Sequence, residues 1–312
     1  MVVRGERGER PDMNWRVRGG IVPLARPVVV GIVNVTPDSF SDGGSFFSTG
    51  DAIVHAQRLV AEGADVLDIG GESTRPQGAT AVSDEEEWRR VVPVIRALRQ
   101  ACPTTPISID TVKSSVAAAA LDAGAAVIND VSGLRIDPGM ARVCADAGAG
   151  LILMHSRGTI QDMGTYAHAT YGADVTGDVL SELSGQVAVA LAAGADPASI
   201  VIDPGIGFSK RSEHSLTVLS ELPRVVALGY PVMVGISRKR FIGEITGVTV
   251  PADRTNGSIG AAVAALALGV RLFRVHDVRA TREALDAAWA ILGRDPMAPP
   301  RPPPAGPAAP QA

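Results

Sequence analysis

Short apolar runs alternate with longer amphipathic segments along most of the chain. Each run has the apolar character of a buried strand, and each amphipathic segment is typical of a helix. The repeat recurs about every 33 residues, the size of one strand, one helix and their connections. The pattern predicts eight strands, at Val28–Val33, Val66–Ile69, Ile107–Ile109, Val127–Ile128, Leu151–Met154, Ile200–Ile202, Val232–Val234 and Leu272–Val275.

Glycines mark the predicted ends of five helices. Gly63, Gly124, Gly148, Gly194 and Gly269 each follow an amphipathic segment and come shortly before an apolar run. Glycine is favoured just after the last turn of a helix because the backbone there adopts a left-handed conformation. These positions therefore predict five helix ends, each leading into a strand.

Two helix starts and two buried helix faces are also predicted. Ser83 begins the capping-box sequence Ser-Asp-Glu-Glu, and Asp137 with Pro138 predicts an N-cap followed by proline in the first turn. Apolar residues at helical spacing form two stripes, and we expect both stripes to face the core. The stripes consist of Trp88, Val91, Val92 and Ile95, and of Leu285, Ala288, Trp289 and Leu292.

Eight strand–helix units without a break in composition favour one α/β domain, a closed (β/α)₈ TIM barrel spanning residues 14–293. An open doubly wound sheet is the alternative, since it requires no particular number of units. Trp15–Leu24 is expected to form a hairpin that turns at its two central glycines and covers one end of the domain. Residues 1–13 are expected to be a flexible arm, and the Pro- and Ala-rich residues 294–312 a disordered tail.

Charge and cysteine usage exclude several classes of protein. The net charge is -4 and the pI is about 5.8, so no electrostatic case exists for nucleic acid or anionic membranes. No stretch has the roughly 18 apolar residues of a membrane span, and the N-terminus has no secretory signal. The two cysteines, Cys102 and Cys144, have no metal-binding or redox spacing, which suits a reducing cytosol. We therefore expect a cytoplasmic protein with small-molecule partners.

Polar residues follow all eight predicted strands. In a barrel, the carboxyl ends of the strands converge on one mouth, where active sites lie. A single strand-end aspartate is more often structural, and we assign Asp130 and Asp277 to helix caps or to holding a neighbouring side chain. A complete ring of polar residues instead indicates a binding site. The ring comprises Asn34, Asp68, Glu72, Ser73, Thr74, Arg75, Asp110, Asn129, Asp130, His155, Asp203, Ser237, Arg238, Lys239, Arg274, His276 and Asp277.

The ring has two chemical halves. Asp110, Asn129 and Asp203 suit a flat heterocycle whose N–H edge pairs with a carboxylate through two parallel hydrogen bonds. Asn34 offers an oxygen ligand to a Mg²⁺ ion carried by phosphate. His155 is interpreted as a loop or wall residue, because one histidine without a partner is weak evidence. The cationic side chains suit a phosphate or pyrophosphate; they are Arg75, Arg238, Lys239, Arg274 and His276.

Seven motifs make the chain similar to dihydropteroate synthases, which belong to the folate pathway. They occur in order at the strand ends and cover the barrel from Val28 to about Ala288. The segments NVTPDSFSDGG, ESTRP and SRK are the most specific. The full set is GIVNVTPDSFSDGG (31–44), DIGGESTRP (68–76), SIDT (108–111), IND (128–130), DPGIGFSK (203–210), GISRK (235–239) and RVHD (274–277).

The resemblance implies a reaction. In it, 6-hydroxymethyl-7,8-dihydropterin pyrophosphate and p-aminobenzoate give 7,8-dihydropteroate and pyrophosphate, by an S_N1-like path assisted by Mg²⁺. The resemblance also implies a homodimer and a stand-alone bacterial enzyme. The Ala-rich helices over 257–268 and 284–292 are candidates for contact with a second copy.

The resemblance further implies the roles of individual residues. The pterin-binding positions match Asp110, Asn129, Asp203 and Lys239. The Mg²⁺ ligand matches Asn34, and the positions that hold the pyrophosphate match Arg274 and His276. Val275, between them, is also expected to bind substrate. The p-aminobenzoate pocket, where sulfonamides also bind, matches Phe40, Pro76, Phe208, Ser237 and the stem of Lys239. Two residues, Thr74 and Arg75, lie on a mobile second loop. Those expected to act in catalysis are Asp110, Asp203, Lys239, Arg274 and His276.

Two other functions remain open from the sequence. A methyltetrahydrofolate–corrinoid methyltransferase would share the barrel and the pterin-facing Asp and Asn, but it has no use for a pyrophosphate clamp. Ser237-Arg238-Lys239 and Arg274-Val275-His276 therefore disfavour it. A catalytically silent paralogue that only binds pterins is the second alternative. Such a protein would be expected to lack residues of the first loop or of the clamp, which this chain retains.

Overall fold

The computed structural model describes residues 14–35, 49–72 and 82–293. The expectations of a flexible arm over 1–13 and a disordered tail over 294–312 lie outside these residues. So do four of the predicted site residues, namely Phe40, Thr74, Arg75 and Pro76.

Ten strands are present in the described residues, two in a hairpin and eight in the barrel. The hairpin strands, β1 and β2, are antiparallel, and the eight others are parallel. Their bounds are Asn14–Val17 (β1), Gly20–Pro23 (β2), Val28–Asn34 (β3), Val66–Gly70 (β4), Ile107–Asp110 (β5), Val127–Asp130 (β6), Gly150–Met154 (β7), Ile200–Asp203 (β8), Met233–Val234 (β9) and Leu272–Val275 (β10).

The eight parallel strands form a nearly closed barrel, as the repeat predicts, in the order β8-β7-β6-β5-β4-β3-β10-β9. The closure between β8 and β9 consists of one parallel bridge, between Ile202 and Val232, and one hydrogen bond from the Ile202 N–H to the carbonyl of Pro231. Every other neighbouring pair is joined over two to five registered positions. The β8–β9 seam is therefore the least hydrogen-bonded junction of the barrel.

Helices follow the strands and surround the barrel. Gly63, Gly124, Gly148, Gly194 and Gly269 all have positive φ angles, which confirms the predicted helix ends. The helices are Thr49–Ala61 (α1), Asp84–Ala101 (α2), Ser114–Ala123 (α3), Met140–Ala147 (α4), Val175–Ala192 (α5), Ser212–Ser220 (α6), Leu222–Val226 (α7), Arg240–Thr246 (α8), Thr255–Ala267 (α9) and Val278–Leu292 (α10).

One predicted helix start and one predicted core residue are wrong. The Ser83 cap is confirmed, since its hydroxyl accepts a hydrogen bond from the Glu86 N–H. Asp137, in contrast, precedes α4 by three residues, and Gly139 is the N-cap of that helix. The Asp137 carboxylate accepts from the Gly139 N–H at 2.9 Å and from the Ser114 N–H at 2.7 Å, at the start of α3. Trp88 is 43% exposed, because α2 turns the neighbouring Glu87 inward to meet Lys113.

The hairpin covers the end of the barrel where the strands begin. Trp15 is fully buried, and its indole N–H donates to the carbonyl of Ser199 at 2.8 Å, just before β8. With Val17, Val22 and Leu24 it packs on the first residues of the strands in an entirely apolar cluster. This confirms the predicted cover and leaves the opposite end of the barrel as the place for polar residues. No helix in the described part of the chain is long and apolar enough to cross a membrane.

Candidate active site

Arg274 joins the polar ends of three strands. From β10, its Nε donates to Asp68 on β4 and its Nη2 donates to Asp110 on β5, both at 2.6 Å. Asp68 also accepts from the amide of Asn129 on β6 at 3.1 Å. Charge-assisted bonds from a planar guanidinium are strong and directional. The four side chains therefore form one fixed cluster, the Arg274 cluster, at the carboxyl ends of the strands.

Two buried acceptors of this cluster have no hydrogen-bond partner among the described residues. They are Oδ1 of Asp68 and Oδ1 of Asn129, which belong to residues that are 0% and 1% exposed. An unsatisfied buried polar atom is costly in a folded protein and calls for an explanation. Acceptors of this kind suit a ligand that presents N–H groups.

Burial shifts the pKa values of the two carboxyl groups predicted to bind a pterin. Burial raises the pKa of Asp110 to about 7, although Arg274 opposes the shift. It raises the pKa of Asp203 to about 6, while the N–H of Gly205 and the cations of Lys239 and Lys210 lower it. Groups with strongly shifted pKa values in a cleft are typical of functional sites.

The cations of the site respond to the same burial. Burial lowers the pKa of Lys239 to about 8, with Arg274 acting in the same direction and Asp203 and Asp110 against it. For Arg274, burial opposes the charge, but Asp68 and Asp110 outweigh it and raise the pKa. Asp110, Asp203, Lys239 and Arg274 thus shift one another's pKa values, which is expected of groups around one space, and Arg274 contacts Asp110 directly.

Gly70 leaves a gap between Asn34 and Asp110. A Cβ atom added to this glycine would lie 3.6 Å from Oδ1 of Asn34 and 3.8 Å from Oδ2 of Asp110. The adjacent strands β3 and β4 pair Asn34 with Gly70, so the two side chains flank the glycine. Asn34 thus faces the site, as expected of the predicted metal ligand.

His276 is oriented by Ser237. The Ser237 hydroxyl lies 3.0 Å from Nδ1 of His276 and accepts from the backbone N–H of His276 at 3.3 Å. Val275, between Arg274 and His276, is buried in β10. The guanidinium of Arg238 makes two hydrogen bonds to Asp277, at 3.0 and 2.6 Å. This confirms Asp277 as a structural partner, and the role of Arg238 toward phosphate stays a prediction.

Lys239 lies against the ring of Phe208. Its Nζ is 3.9 Å from the ring centroid, within the range of a cation–π contact. Phe208 follows β8 and Lys239 follows β9, so the contact spans the β8–β9 seam. It brings two residues of the predicted p-aminobenzoate pocket together.

Asp130 is structural, as predicted. Its carboxylate accepts hydrogen bonds from the N–H and hydroxyl of Ser132 and from the N–H of Leu134, at 2.7 to 2.8 Å. These bonds fix the turn after β6, which includes a positive φ at Leu134. Asp130 is therefore fully used within the protein and is not available to a ligand.

His155 lies in the loop after β7, as predicted, but the expectation that it has no partner is wrong. The side chain is fully buried, 3.1 Å from Glu182 and 2.8 Å from the ammonium of Lys210. Burial and the charge of Lys210 lower the pKa of His155 to about 4, so its ring is neutral at pH 7. Lys210 and the holding role of Asp68 were missed by the sequence analysis. The signal for Lys210 was its place in the DPGIGFSK motif.

Comparison with known proteins decides the family. Residues 30–276 match the family described as pterin binding enzyme. The chain is 44% identical over 282 residues to the dihydropteroate synthase of Neisseria meningitidis serogroup C, covering 89% of this chain and 97% of that protein. The chain belongs to the dihydropteroate synthase family. It is therefore similar to transferases of folate synthesis, as the motifs predict.

Solved structures of this family have the same fold. Xanthomonas albilineans dihydropteroate synthase with 4-aminobenzoic acid has a TM-score of 0.84 and 45% identity, covering 91% of this chain and all of that one. The same enzyme in complex with 7,8-dihydropteroate has a TM-score of 0.80 and 43% identity, covering 90% and 100%. These similarities confirm the TIM barrel and exclude the open doubly wound sheet.

Proposed function

We propose that the chain joins 6-hydroxymethyl-7,8-dihydropterin pyrophosphate to p-aminobenzoate, giving 7,8-dihydropteroate and pyrophosphate. The observation that carries the proposal is the convergence of Asp110, Asn129 and Asp203 with Lys239 and Arg274 at one end of the barrel. Acceptors for a heterocycle thus lie beside cations for a leaving group. The family supports the same reaction, since a relative binds its product.

The acceptors would hold the pterin ring. Asp203 and Asp110 accept N–H groups of the ring when ionised, and Oδ1 of Asn129 is a buried acceptor that a ring N–H would satisfy. Lys239 donates to the ring from beside Phe208. Such a set fixes a flat bicyclic ring in one plane and one orientation, which places its methylene group for reaction.

Arg274 and His276 would bind the pyrophosphate. The contacts of Arg274 with Asp68 and Asp110 use two of its five N–H donors, so three remain for phosphate oxygens. Ser237 orients His276 beside it. Cations held in place before the reaction stabilise negative charge that develops on a leaving group.

The bond changes follow from this arrangement. The bond between the methylene carbon and the pyrophosphate oxygen breaks, and its electron pair leaves with the pyrophosphate. Positive charge remaining on the methylene is spread over the pterin ring, where Asp110 and Asp203 stabilise it. The neutral aromatic amine then forms the carbon–nitrogen bond and loses one proton. A strong general base is not required, which fits a site without a catalytic dyad.

We further propose that Mg²⁺ enters bound to the pyrophosphate. The described residues contain no group of three His, Cys, Asp or Glu side chains that could hold a metal ion. A single Asn34 oxygen beside the Gly70 gap suits an ion whose other ligands are phosphate oxygens and water. Such an ion would supply Lewis-acid stabilisation of the leaving group.

We also propose that the chain works as a cytoplasmic homodimer. The supporting observation is that α9 and α10 pack on each other, while Ile291, at the end of α10, is 71% exposed. Light scattering after gel filtration tests this assembly, and a monomer at micromolar concentration would contradict it.

The test of the reaction uses the purified full chain. It is mixed with the pterin pyrophosphate, p-aminobenzoate and Mg²⁺, and dihydropteroate and pyrophosphate are measured together. Equal amounts of both products are expected. Binding of the pterin without either product would instead identify a catalytically silent paralogue. Omission of Mg²⁺ is expected to slow product formation.

A further inference from the structure

Lysine is scarce in this chain, and each lysine lies at the carboxyl end of a barrel strand. Of the 29 Lys and Arg residues only Lys113, Lys210 and Lys239 are lysines. Lysine provides a compact ammonium with three donors, whereas arginine provides a wide planar fork. Lys239 belongs to the site, and Lys113 holds Glu72 and Glu87. Lys210 has no part in the proposed reaction.

Lys210 is completely enclosed and uses all three of its donors. It is 1% exposed, and its Nζ lies 2.8 Å from Nδ1 of His155, 3.1 Å from the carbonyl of Gly205 and 3.2 Å from the carbonyl of Phe208. The neutral ring of His155 accepts this bond at Nδ1, so Nε2 donates to Glu182. Burying an amine costs free energy unless the amine is hydrogen-bonded. The hydrogen bonds to the two carbonyls therefore hold Lys210 in place, and they hold the carbonyls in turn.

The carbonyls belong to one short loop, residues 204–209, after β8. Gly205 has a φ of 67°, and a Cβ there would lie 1.9 Å from the carbonyl oxygen of His155. Ser209 has a φ of 49°, and its N–H donates to the carbonyl of Met163 at 2.7 Å. Lys210 bridges this loop from the inside, since it bonds carbonyls near both of its ends.

The loop presents Phe208 to the site. The Phe208 N–H donates to the Gly205 carbonyl at 3.0 Å, so the same carbonyl receives both Phe208 and Lys210. The Phe208 ring then lies 3.9 Å from Nζ of Lys239. Gly207 makes this approach possible, because a Cβ there would lie 3.1 Å from Cδ of Lys239. The position of the ring against Lys239 thus depends on the backbone that Lys210 holds.

We propose that Lys210 is a positioning residue for the aromatic amine substrate. By fixing the loop 204–209, its ammonium holds the Phe208 ring against Lys239 as one wall of the amine pocket. The identity of the substrate rests on the function proposed above. The fixing of Phe208 and Lys239 by Lys210 does not depend on that function.

Steady-state kinetics of Lys210→Met tests the role in binding. Methionine fills the space but donates no hydrogen bond. The KM for p-aminobenzoate is expected to rise ~10-fold, while kcat and the KM for the pterin pyrophosphate change less than ~3-fold. Equal KM values for p-aminobenzoate in variant and wild type would overturn the proposal. Leu183→Ala, a buried change in α5, is the control, and it is expected to lower Tm without raising this KM.

A double-mutant cycle tests whether the effect passes through Phe208. In a Phe208→Ala background, Lys210→Met is expected to raise the KM for p-aminobenzoate by less than ~2-fold, because the wall is already lost. The same ~10-fold rise in both backgrounds would mean that Lys210 acts on the pocket by another route, and it would overturn the proposal.

Amine labelling tests the geometry without turnover. Only three lysines are present, so peptide mapping after brief treatment with an acylating ester measures each of them. Lys239 is expected to react several-fold faster in Lys210→Met than in wild type, because the Phe208 ring no longer covers it. Lys113 is the internal reference and is expected to keep its rate. An unchanged Lys239 rate would overturn the proposal even if the wild-type chain proved inactive as a synthase.

Discussion

The two ends of the barrel are built from the same eight strands but from different kinds of residue. Where the strands begin, Trp15, Val17, Val22 and Leu24 cover them with an apolar cluster that has one side-chain hydrogen bond to the backbone. Where they end, the Arg274 cluster leaves buried acceptors unsatisfied and shifts pKa values away from their ordinary range. The apolar end stabilises the fold. The polar end lowers the stability of the fold, because it holds buried polar groups in place for a ligand.

Trp15→Ala is expected to have the largest effect, at the apolar end. Loss of a fully buried tryptophan costs about 3–5 kcal/mol in the free energy of unfolding. Urea unfolding measures this loss, and turnover of the folded fraction should be unchanged. Trp15→Phe is the matched control, since it keeps an aromatic ring but removes the bond to the Ser199 carbonyl and part of the indole volume, so a smaller loss is expected. Equal stability of Trp15→Ala and wild type would contradict the division between the two ends.

Arg274→Ala is expected to have the next largest effect, on turnover. Removing a preorganised donor to a leaving group lowers kcat about 10²–10³-fold. Arg274→Lys keeps a charge but loses the planar fork to Asp68 and Asp110, so an intermediate rate is expected. Circular dichroism of both variants checks that they fold. A rate for Arg274→Ala within twofold of the wild-type value would exclude the clamp role.

Acid is expected to weaken pterin binding at the polar end. Asp203 has a pKa of about 6 and Asp110 a pKa of about 7, and both must be ionised to accept N–H groups. Affinity should therefore fall at least ~10-fold per pH unit below pH 6. Calorimetric titration between pH 5 and 8 measures it. Asp203→Asn should retain only the dependence with a midpoint near 7, and a pH-independent affinity in wild type would contradict the assignment.

Acid has the opposite effect on stability through the same raised pKa of Asp203: it favours the folded state. Asp203 has a folded pKa near 6 against an ordinary value of 3.8, so the folded state binds the proton more tightly. Its favourable contribution is complete below pH 3.8 and is lost as the pH rises through 6. The pH range in which Asp203 is proposed to bind the pterin is therefore the range in which it stabilises the fold least.

Arg224→Ala is expected to have the smallest effect. Arg224 pairs with Asp174 at 2.6 Å, but both side chains are largely exposed. Water and salt screen such pairs. Tm and turnover should both stay near their wild-type values. A marked change in either would show that an exposed ion pair contributes to stability or activity, as the buried groups at the two ends of the barrel do.

The polar end was predictable because its signal is local. A buried run such as Ile107–Ile109 followed by Asp110 identifies a strand and the group at its end within four residues. The same holds for Asp203 after Ile200–Ile202. Once eight such runs are counted, the barrel brings their ends together. Fold and ring could thus be predicted without knowledge of any contact.

Partner choice could not be predicted, because it depends on contacts between distant positions. His155 and Lys210 are 55 positions apart, and nothing near His155 indicates a buried amine. Trp88 is exposed because Glu87 pairs with Lys113, 26 positions away. Asp137 accepts from the Ser114 N–H at the start of α3, 23 positions away, as well as from the nearby Gly139 N–H. Helical spacing predicts that an apolar residue such as Trp88 is buried. It cannot show that a neighbouring carboxylate is buried instead because it has a distant partner.

The β8–β9 seam has a consequence for the motion of the barrel. With one bridge and a two-residue strand, this junction has the fewest backbone hydrogen bonds to break. Local opening starts where protection is weakest, so deuterium should enter the Ile202 amide before those of β4 and β5. Phe208 and Lys239 lie on opposite sides of this junction. A brief separation of β8 from β9 would therefore move the two side chains apart. The part of the barrel proposed to bind the aromatic amine is then also the part expected to open most readily.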